Sequence, residues 1–292
     1  MVNFAIAFVL FPQLLSKIGA TQTSDLIIIL LMGLGWGGGA ILFGVAMNKL
    51  GMGIGYPIIM GLSACVGSII PVVVFSPEVF FQLKGAILLA GAAVTIVGII
   101  FCARAFQLKS VKSGIYSTKA KASSVGLAIA IIAGITSSLP NLGSALNQKI
   151  GEIALSQGVP EIIAGNVVWS LFFFAGFFCN AIYCLYLIYK GKSFQSFFNK
   201  FSVRNWALIL AMSLLWMSSF YFYGLSISYI GEFGVIIGWP IFVSLSIVFG
   251  NLWGIRRGEW KEASQKSKRL MSIGIAVLII SVIVIASSNI DY

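Results

Sequence analysis

The sequence predicts an all-α polytopic membrane protein. Hydrophobic residues make up 59% of the 292 residues and charged residues only 9%, a balance that soluble domains do not have. Apolar runs of about 17–25 residues recur along the chain, and most are long enough to cross a bilayer. A motif of tryptophan, glycine and proline also occurs twice, which indicates an internal repeat of helices. The apolar segments, named A to I, are Met1–Leu15, Leu26–Asn48, Met52–Phe75, Lys84–Phe106, Ser124–Gln148, Glu161–Tyr189, Asn205–Ile230, Glu232–Ile255 and Leu270–Ser288.

The repeated motif links segment B to C and segment G to H. The first copy has Trp36, Gly44 and Gly51, followed by Gly55-Tyr56-Pro57. The second has Trp216, Gly224 and Gly231 at the same spacing, and its triplet Gly238-Trp239-Pro240 follows with three extra residues. Each copy ends one apolar segment, turns at a glycine and begins the next. The alternative is a chance likeness between glycine-rich apolar helices.

The repeat divides the chain into residues 1–110, with four visible spans, and residues 124–289, with five. Segment A corresponds to F, so the counterpart of E is missing from the first half. Either the sequence begins at an internal methionine, in which case another apolar span ending in a basic loop precedes Met1, or the protein has nine spans.

Charge in the loops predicts how the chain is oriented. The net charge of +11 would suggest a nucleic-acid partner in a soluble protein, but here the cations concentrate in alternate loops, so we predict no such partner. By the positive-inside rule these loops are cytoplasmic, which places the C-terminus outside the inner (plasma) membrane. The cationic loops hold Lys49; Arg104, Lys109, Lys112, Lys119 and Lys121; Lys190, Lys192, Lys200 and Arg204; and Arg256, Arg257, Lys261, Lys266, Lys268 and Arg269.

The residue types exclude several kinds of site. The chain has no histidine, which removes histidine metal sites, triads and proton relays. Its four cysteines lie in apolar spans and form no motif. No paired carboxylates, metal-ligand cluster or activated nucleophile lies within the spans. We therefore predict a protein that is not an enzyme and uses neither a metal nor a cofactor.

Polar residues lie along one face of segment E. Ser137, Asn141, Ser144 and Gln148 recur at spacings of four, three and four, with Pro140 among them. Residues at these spacings share one helical face, and the proline interrupts the backbone hydrogen bonds. Because polar groups facing lipid are unfavourable, the face should point to the bundle interior or to a wet cavity. The simpler interpretation is hydrogen bonding between helices.

Aromatic and polar residues share further faces, on segments F and G. Rings cover the apolar C–H face of a sugar, while amides and hydroxyls bind its hydroxyl groups. We therefore predict a neutral, polyhydroxylated substrate. The predicted binding residues are Trp36, Asn141, Ser144, Gln148, Trp216 and Tyr223, and the two faces comprise Asn166, Trp169, Phe173, Gly176 and Asn180, and Trp216, Ser219, Tyr223 and Ser226.

Several blocks of sequence resemble the L-rhamnose–proton symporter family, within the drug/metabolite transporter superfamily. They are Gly33–Gly39, Leu50–Gly55, Ala103–Lys109 and Tyr221–Trp260. The resemblance implies ten spans arranged as two inverted five-helix repeats, with a sugar bound centrally and taken up with protons by alternating access. Where the family pattern has His and Asp near the start of segment H, this chain has Ile227 and Val235.

Glu232 is the candidate for proton coupling. It follows Gly231 at the start of segment H, where the helix dipole favours a carboxylate. The simpler interpretation is a capping charge at the outer surface. The alternatives to a proton-coupled sugar carrier are an uncoupled metabolite exporter or exchanger and a non-transporting membrane scaffold or sensor subunit.

Overall fold

The computed structural model describes residues 13, 17, 23–112, 124–146, 148–160, 164, 166–198, 202–231 and 234–288. These residues form α-helices and short 3₁₀ turns, and none of them lies in a β-strand. The α-helices, numbered along the chain, are α1 (Thr23–Leu50), α2 (Met52–Phe75), α3 (Leu83–Lys112), α4 (Ser124–Thr136), α5 (Leu139–Leu146), α6 (Gln148–Ser156), α7 (Val167–Gly191), α8 (Ser202–Ile230), α9 (Gly234–Arg256) and α10 (Gln265–Ser287).

Eight helical segments in the described residues are long and apolar enough to cross a membrane. They correspond to predicted segments B to I, with α4 and α5 together forming the span of segment E. The all-α, multi-pass prediction is therefore confirmed. Of segment A only Gln13 is described, so that predicted span lies outside the described residues.

The helices group into two compact units. The first contains residues 1–41 and 143–231, and the second contains residues 42–142 and 232–292. Each unit thus takes helices from both halves of the sequence. The division into repeats at residues 1–110 and 124–289 is a statement about sequence duplication, and it stays a prediction.

Both copies of the repeated motif turn at their glycine. Gly51 has a φ of 72° and Gly231 a φ of 81°, a left-handed conformation that costs glycine little and other residues more. The amide of Gly51 donates to the carbonyl of Met47 at 2.9 Å, and the amide of Gly231 donates to the carbonyl of Ile227 at 3.0 Å. The two helices therefore end in the same way, as the spacing of the motif predicts.

Segment E is broken into two helices. Helix α4 ends at Thr136 and α5 begins at Leu139. In the turn between them the Ser137 hydroxyl donates to the carbonyl of Ala133 at 2.7 Å. Pro140 is the second residue of α5, where its missing amide hydrogen removes no intrahelical bond. The break that the proline predicts is present, and it lies just before the proline.

The second unit packs its helices through small residues. A Cβ atom on Gly274 of α10 would lie 2.6 Å from the Cys102 sulfur on α3, so these helices approach closely because glycine is present. Helix α9 meets α2 at Trp239, whose indole nitrogen donates to the carbonyl of Ser63 at 3.0 Å. Residues Gly234 to Pro240 of α9 are all buried. This unit has a close-packed interior that also buries several serine side chains together with Asn141 and Asn251.

Candidate functional site

Three helices of the first unit bring together a cluster of aromatic rings. Trp36 of α1 and Trp216 of α8 stack with their ring centroids 5.9 Å apart and their planes 21° apart. Phe173 of α7 lies edge-on to both, at 5.1 Å from each. Phe220 packs on Trp216 at 4.9 Å. Such ring pairs add about 0.5–1.5 kcal/mol each beyond their buried area, so the cluster helps to hold the three helices together; we call it the aromatic wall.

Glycines allow α1 to approach α7 closely enough to form this wall. A Cβ atom on Gly37 would lie 2.6 Å from the carbonyl oxygen of Gly176, and one on Gly33 would overlap the carbonyl oxygen of Phe172. A Cβ atom on Gly176 would lie 2.9 Å from the Trp36 ring. The Gly-x-x-x-Gly spacing in segment B therefore marks a helix contact, as such spacing does in membrane bundles.

A cavity of about 820 Å³ lies beside the aromatic wall, within the first unit. One residue of α1 and two longer stretches of α7 and α8 line it. Its volume falls within the range of ligand pockets, which is about 300–1,000 Å³. The lining residues are Trp36, Ser170, Phe173, Phe177, Asn180, Leu210, Met212, Ser213, Leu214, Trp216, Met217, Ser218 and Tyr221.

Polar groups on α7 face this apolar lining. Ser170 is 2% exposed, and its hydroxyl has no hydrogen-bond partner in the part of the chain that the structure describes. Asn180 donates from its amide nitrogen to the carbonyls of Gly176 at 3.0 Å and Gly37 at 3.3 Å. Those two bonds use its nitrogen and leave its side-chain oxygen as an acceptor. The cavity thus offers a hydroxyl and an amide oxygen next to stacked rings.

Hydroxyl groups on α8 add to this set. Ser213 donates to the carbonyl of Ile209 and Ser218 to that of Leu214, both at 2.8 Å. Each hydroxyl oxygen can still accept a hydrogen bond, since a serine oxygen has two lone pairs. No Asp, Glu, Lys or Arg is among the described residues that line the cavity. The lining therefore suits a neutral ligand that carries hydroxyl groups.

The predicted binding residues do not all meet at this cavity. Trp36 and Trp216 line it together. Tyr223 is buried beside Trp169, with ring centroids 6.2 Å apart, and is absent from the lining. Ser144 is half-buried in α5. The side chain of Gln148 and the whole of Glu232 lie outside the described residues.

Asn141 lies in the second unit and bonds to the backbone. Its amide nitrogen donates to the carbonyl of Gly67 on α2 at 2.7 Å and to that of Val235 on α9 at 3.0 Å. The side chain is fully buried. These bonds link three helices and correspond to the simpler interpretation of the polar face of segment E. A substrate role for Asn141 stays a prediction.

The sequence analysis did not single out Ser170. The face chosen on segment F contributes Phe173 and Asn180 to the lining, whereas Ser170 and Phe177 belong to an overlapping face of the same helix. That overlapping face has spacings of four, three, four and three, which are equally helical, and it comprises Asn166, Ser170, Phe173, Phe177 and Asn180. The spacing was therefore a usable signal, but Asn166 itself is not in the lining.

The described residues contain no group of three or more Cys, Asp or Glu side chains placed to hold a metal ion. The cavity is defined by rings, hydroxyls and one amide.

Comparison with known proteins decides the family. The family model described as "L-rhamnose-proton symport protein" matches residues 1–289 of the chain. The chain belongs to the L-rhamnose–proton symporter family. This confirms the resemblance drawn from the blocks of segments B, C and D and from Tyr221–Trp260, and it makes the protein a membrane transporter and not an enzyme.

Individual members of the family are distant but match over nearly the full length. Proteins named L-rhamnose-proton symporter from Salmonella enteritidis PT4, Escherichia coli O1:K1 / APEC and Citrobacter koseri are each 26% identical to the chain over 285 residues. The matches cover 95% of this chain and 83% of each relative. No solved structure was found to match.

Proposed function

We propose that this family member carries a small neutral sugar of the L-rhamnose type into the cell, by alternating access and with proton coupling. The relatives named L-rhamnose-proton symporter support both the solute class and the coupling. A multi-pass carrier that works this way belongs in the inner membrane of a bacterium. The observation that carries the sugar proposal is the cavity that places the Ser170 hydroxyl beside stacked tryptophans.

The cavity suits both kinds of surface on a deoxy sugar. L-Rhamnose carries hydroxyl groups, an apolar methyl group and C–H bonds on its ring. The ring faces of Trp36 and Trp216 can cover the C–H groups, as aromatic rings in ligand pockets do. Ser170 and the side-chain oxygen of Asn180 can bond to the hydroxyls. Binding the sugar would satisfy the buried Ser170 hydroxyl, which contributes to affinity.

Proton coupling rests on a different residue. Glu232 follows the turn at Gly231 that the repeat marks, and its carboxylate is a group that can bind and release a proton. Uptake of one proton with each sugar would let the proton gradient drive accumulation.

An uncoupled carrier of the same solute is the second candidate. The observation that favours it is the described lining of the cavity, in which Tyr221 is the one titratable group. A carrier in which no group binds and releases a proton during the transport cycle equilibrates the solute and does not concentrate it with the proton gradient.

Uptake of labelled L-rhamnose into proteoliposomes separates these two functions. We expect accumulation when the outside is acidic, and collapse of that accumulation when a proton ionophore is added. Flux that only equilibrates the sugar, with or without the gradient, would support the uncoupled carrier. Absence of flux for L-rhamnose and for a panel of related sugars would refute the sugar proposal.

Glu232→Gln tests the coupling residue within the same assay, because it keeps the shape and removes the charge. We expect equilibration of the sugar to continue while accumulation is lost. An unaltered pH profile in this variant would remove Glu232 from the coupling mechanism and leave it as a capping charge.

A further inference from the structure

A second cavity, of about 560 Å³, lies within the second unit between α2, α3 and α4. Its walls are almost entirely apolar, with Cys65, Arg104 and Gln107 as the exceptions. It shares no residue with the cavity assigned to the sugar. We call it the α2–α4 groove, and its lining residues are Ile54, Pro57, Ile58, Gly61, Leu62, Cys65, Ile96, Ile100, Ala103, Arg104, Gln107, Leu127 and Ile131.

The groove has one charged end. Ile96, Ile100, Arg104 and Gln107 follow one another along a single face of α3 at spacings of four, four and three. With a rise of about 1.5 Å per residue, this face extends for about 16 Å. The charged end is the one closer to the cationic loop that follows α3, where the positive-inside rule places the cytoplasmic surface. The groove therefore extends from an apolar end at Ile96 to a charged end at Arg104, near the predicted membrane surface.

No acidic residue in the described part of the chain pairs with Arg104. The side chain of Arg104 is exposed. Lys109, a second cation near this end of α3, lies over the ring of Trp260 at 4.8 Å from its centroid. Arg104 is therefore the cation presented to an occupant of the groove.

We propose that the α2–α4 groove binds an anionic phospholipid, with an acyl chain along its apolar walls and the phosphate on Arg104. A guanidinium pairs well with phosphate because its planar set of donors can bond to two oxygens at once. A free phosphate would gain nothing from the apolar walls, and an apolar molecule would gain nothing from Arg104. Basic sites between helices at the cytoplasmic side are where anionic lipids bind membrane proteins.

Glycine at position 61 supplies a direct test of occupancy. A Cβ atom added to Gly61 would meet no other atom within 4 Å, so a larger side chain can extend into the groove without a clash. Gly61→Leu should therefore fold and fill part of the space. Arg104→Gln removes the charge and keeps a long polar side chain on an exposed site.

The experiment uses native mass spectrometry of the purified, delipidated carrier titrated with phosphatidylglycerol or with phosphatidylcholine. We expect the unaltered protein to retain phosphatidylglycerol preferentially. Arg104→Gln should lower that affinity about five-fold, as loss of one cation near a membrane surface does, and so remove most of the preference. Gly61→Leu should reduce the retention of both lipids.

Matched controls distinguish the groove from general effects. Arg204→Gln removes an exposed cation that does not line the groove, and Gly250→Leu adds the same side chain at another open position on an exposed helix face. Both controls should bind phosphatidylglycerol like the unaltered protein. Equal retention of the two lipids by the unaltered protein, unchanged binding in Gly61→Leu, or competition by inorganic phosphate would each overturn the proposal.

Discussion

Ser170→Ala should weaken sugar binding without weakening the fold. The Ser170 hydroxyl is buried and has no partner among the described residues. A buried polar group left without a partner costs about 1–3 kcal/mol. Removing the hydroxyl leaves no other protein group unsatisfied, so the free energy of unfolding in the absence of sugar should stay the same or rise.

The effect on affinity has the opposite sign. If the hydroxyl bonds to the sugar, its removal forfeits one neutral hydrogen bond, which is worth about 0.5–1.5 kcal/mol net. Since about 1.4 kcal/mol corresponds to a ten-fold change, the Kd for L-rhamnose should rise about two- to twelve-fold. Loss of affinity together with unchanged or higher stability is a combination that simple damage to the fold does not produce.

Two measurements on one preparation check this prediction. Thermal unfolding in detergent without sugar reports stability, and quenching of tryptophan fluorescence reports binding, because Trp36 and Trp216 line the cavity. Ser244→Ala is the matched control, since Ser244 of α9 is also fully buried with an unpartnered hydroxyl among the described residues but lies outside the cavity lining. It should gain or keep stability and bind as before. An unchanged Kd in Ser170→Ala would refute the assignment of this hydroxyl to the sugar.

Trp216→Ala should raise the Kd for L-rhamnose more than Ser170→Ala does, because it removes a ring of the aromatic wall. Trp216→Phe should retain most of the affinity in the same fluorescence assay. Gly37→Leu should abolish folded protein in the membrane, because its Cβ would lie 2.6 Å from a backbone oxygen. Gly38→Leu is the control and should be tolerated, because a Cβ at Gly38 meets nothing within 4 Å. Equal expression of the two variants would contradict the close helix contact. Asn141→Ala should lower stability by about 1–3 kcal/mol, because it leaves buried carbonyls without their donor; stable protein with weakened sugar binding would instead support the substrate role. Reporters fused after Lys121 and at the C-terminus should give opposite signals, and equal signals would overturn the assigned orientation.

The spans and their turns were predictable because they depend on local properties of the chain. The apolar runs match the membrane-length helices from α1 to α10 within a few residues at most ends. Gly51 and Gly231 mark their turns because only glycine adopts a positive φ there at little cost. The exact break in segment E was less predictable, since Pro140 could either interrupt a helix or begin one. The structure shows that α5 begins just before it.

The candidate site was only partly predictable, for a physical reason. Asn141 and Ser170 are both polar residues within apolar spans, and sequence alone does not show which will find a partner. The amide of Asn141 bonds to carbonyls on α2 and α9, each many residues away along the chain. The Ser170 hydroxyl meets no such group among the described residues. Whether each polar group finds a hydrogen-bond partner depends on which helices pack against it, and this cannot be predicted from a local sequence pattern.

The equivalent tryptophans of the two motif copies contact each other at the candidate site. Trp36 and Trp216 hold the same position in the two copies of the motif, eight residues before Gly44 and Gly224. In the structure these two equivalent residues stack on each other. If the duplication is a structural repeat, as we predict, a position that contacts its own counterpart lies next to the axis that relates the two copies, because only near such an axis are equivalent atoms close together. We therefore predict that the aromatic cluster lies at this axis, which is where carriers assembled from repeats bind their solute.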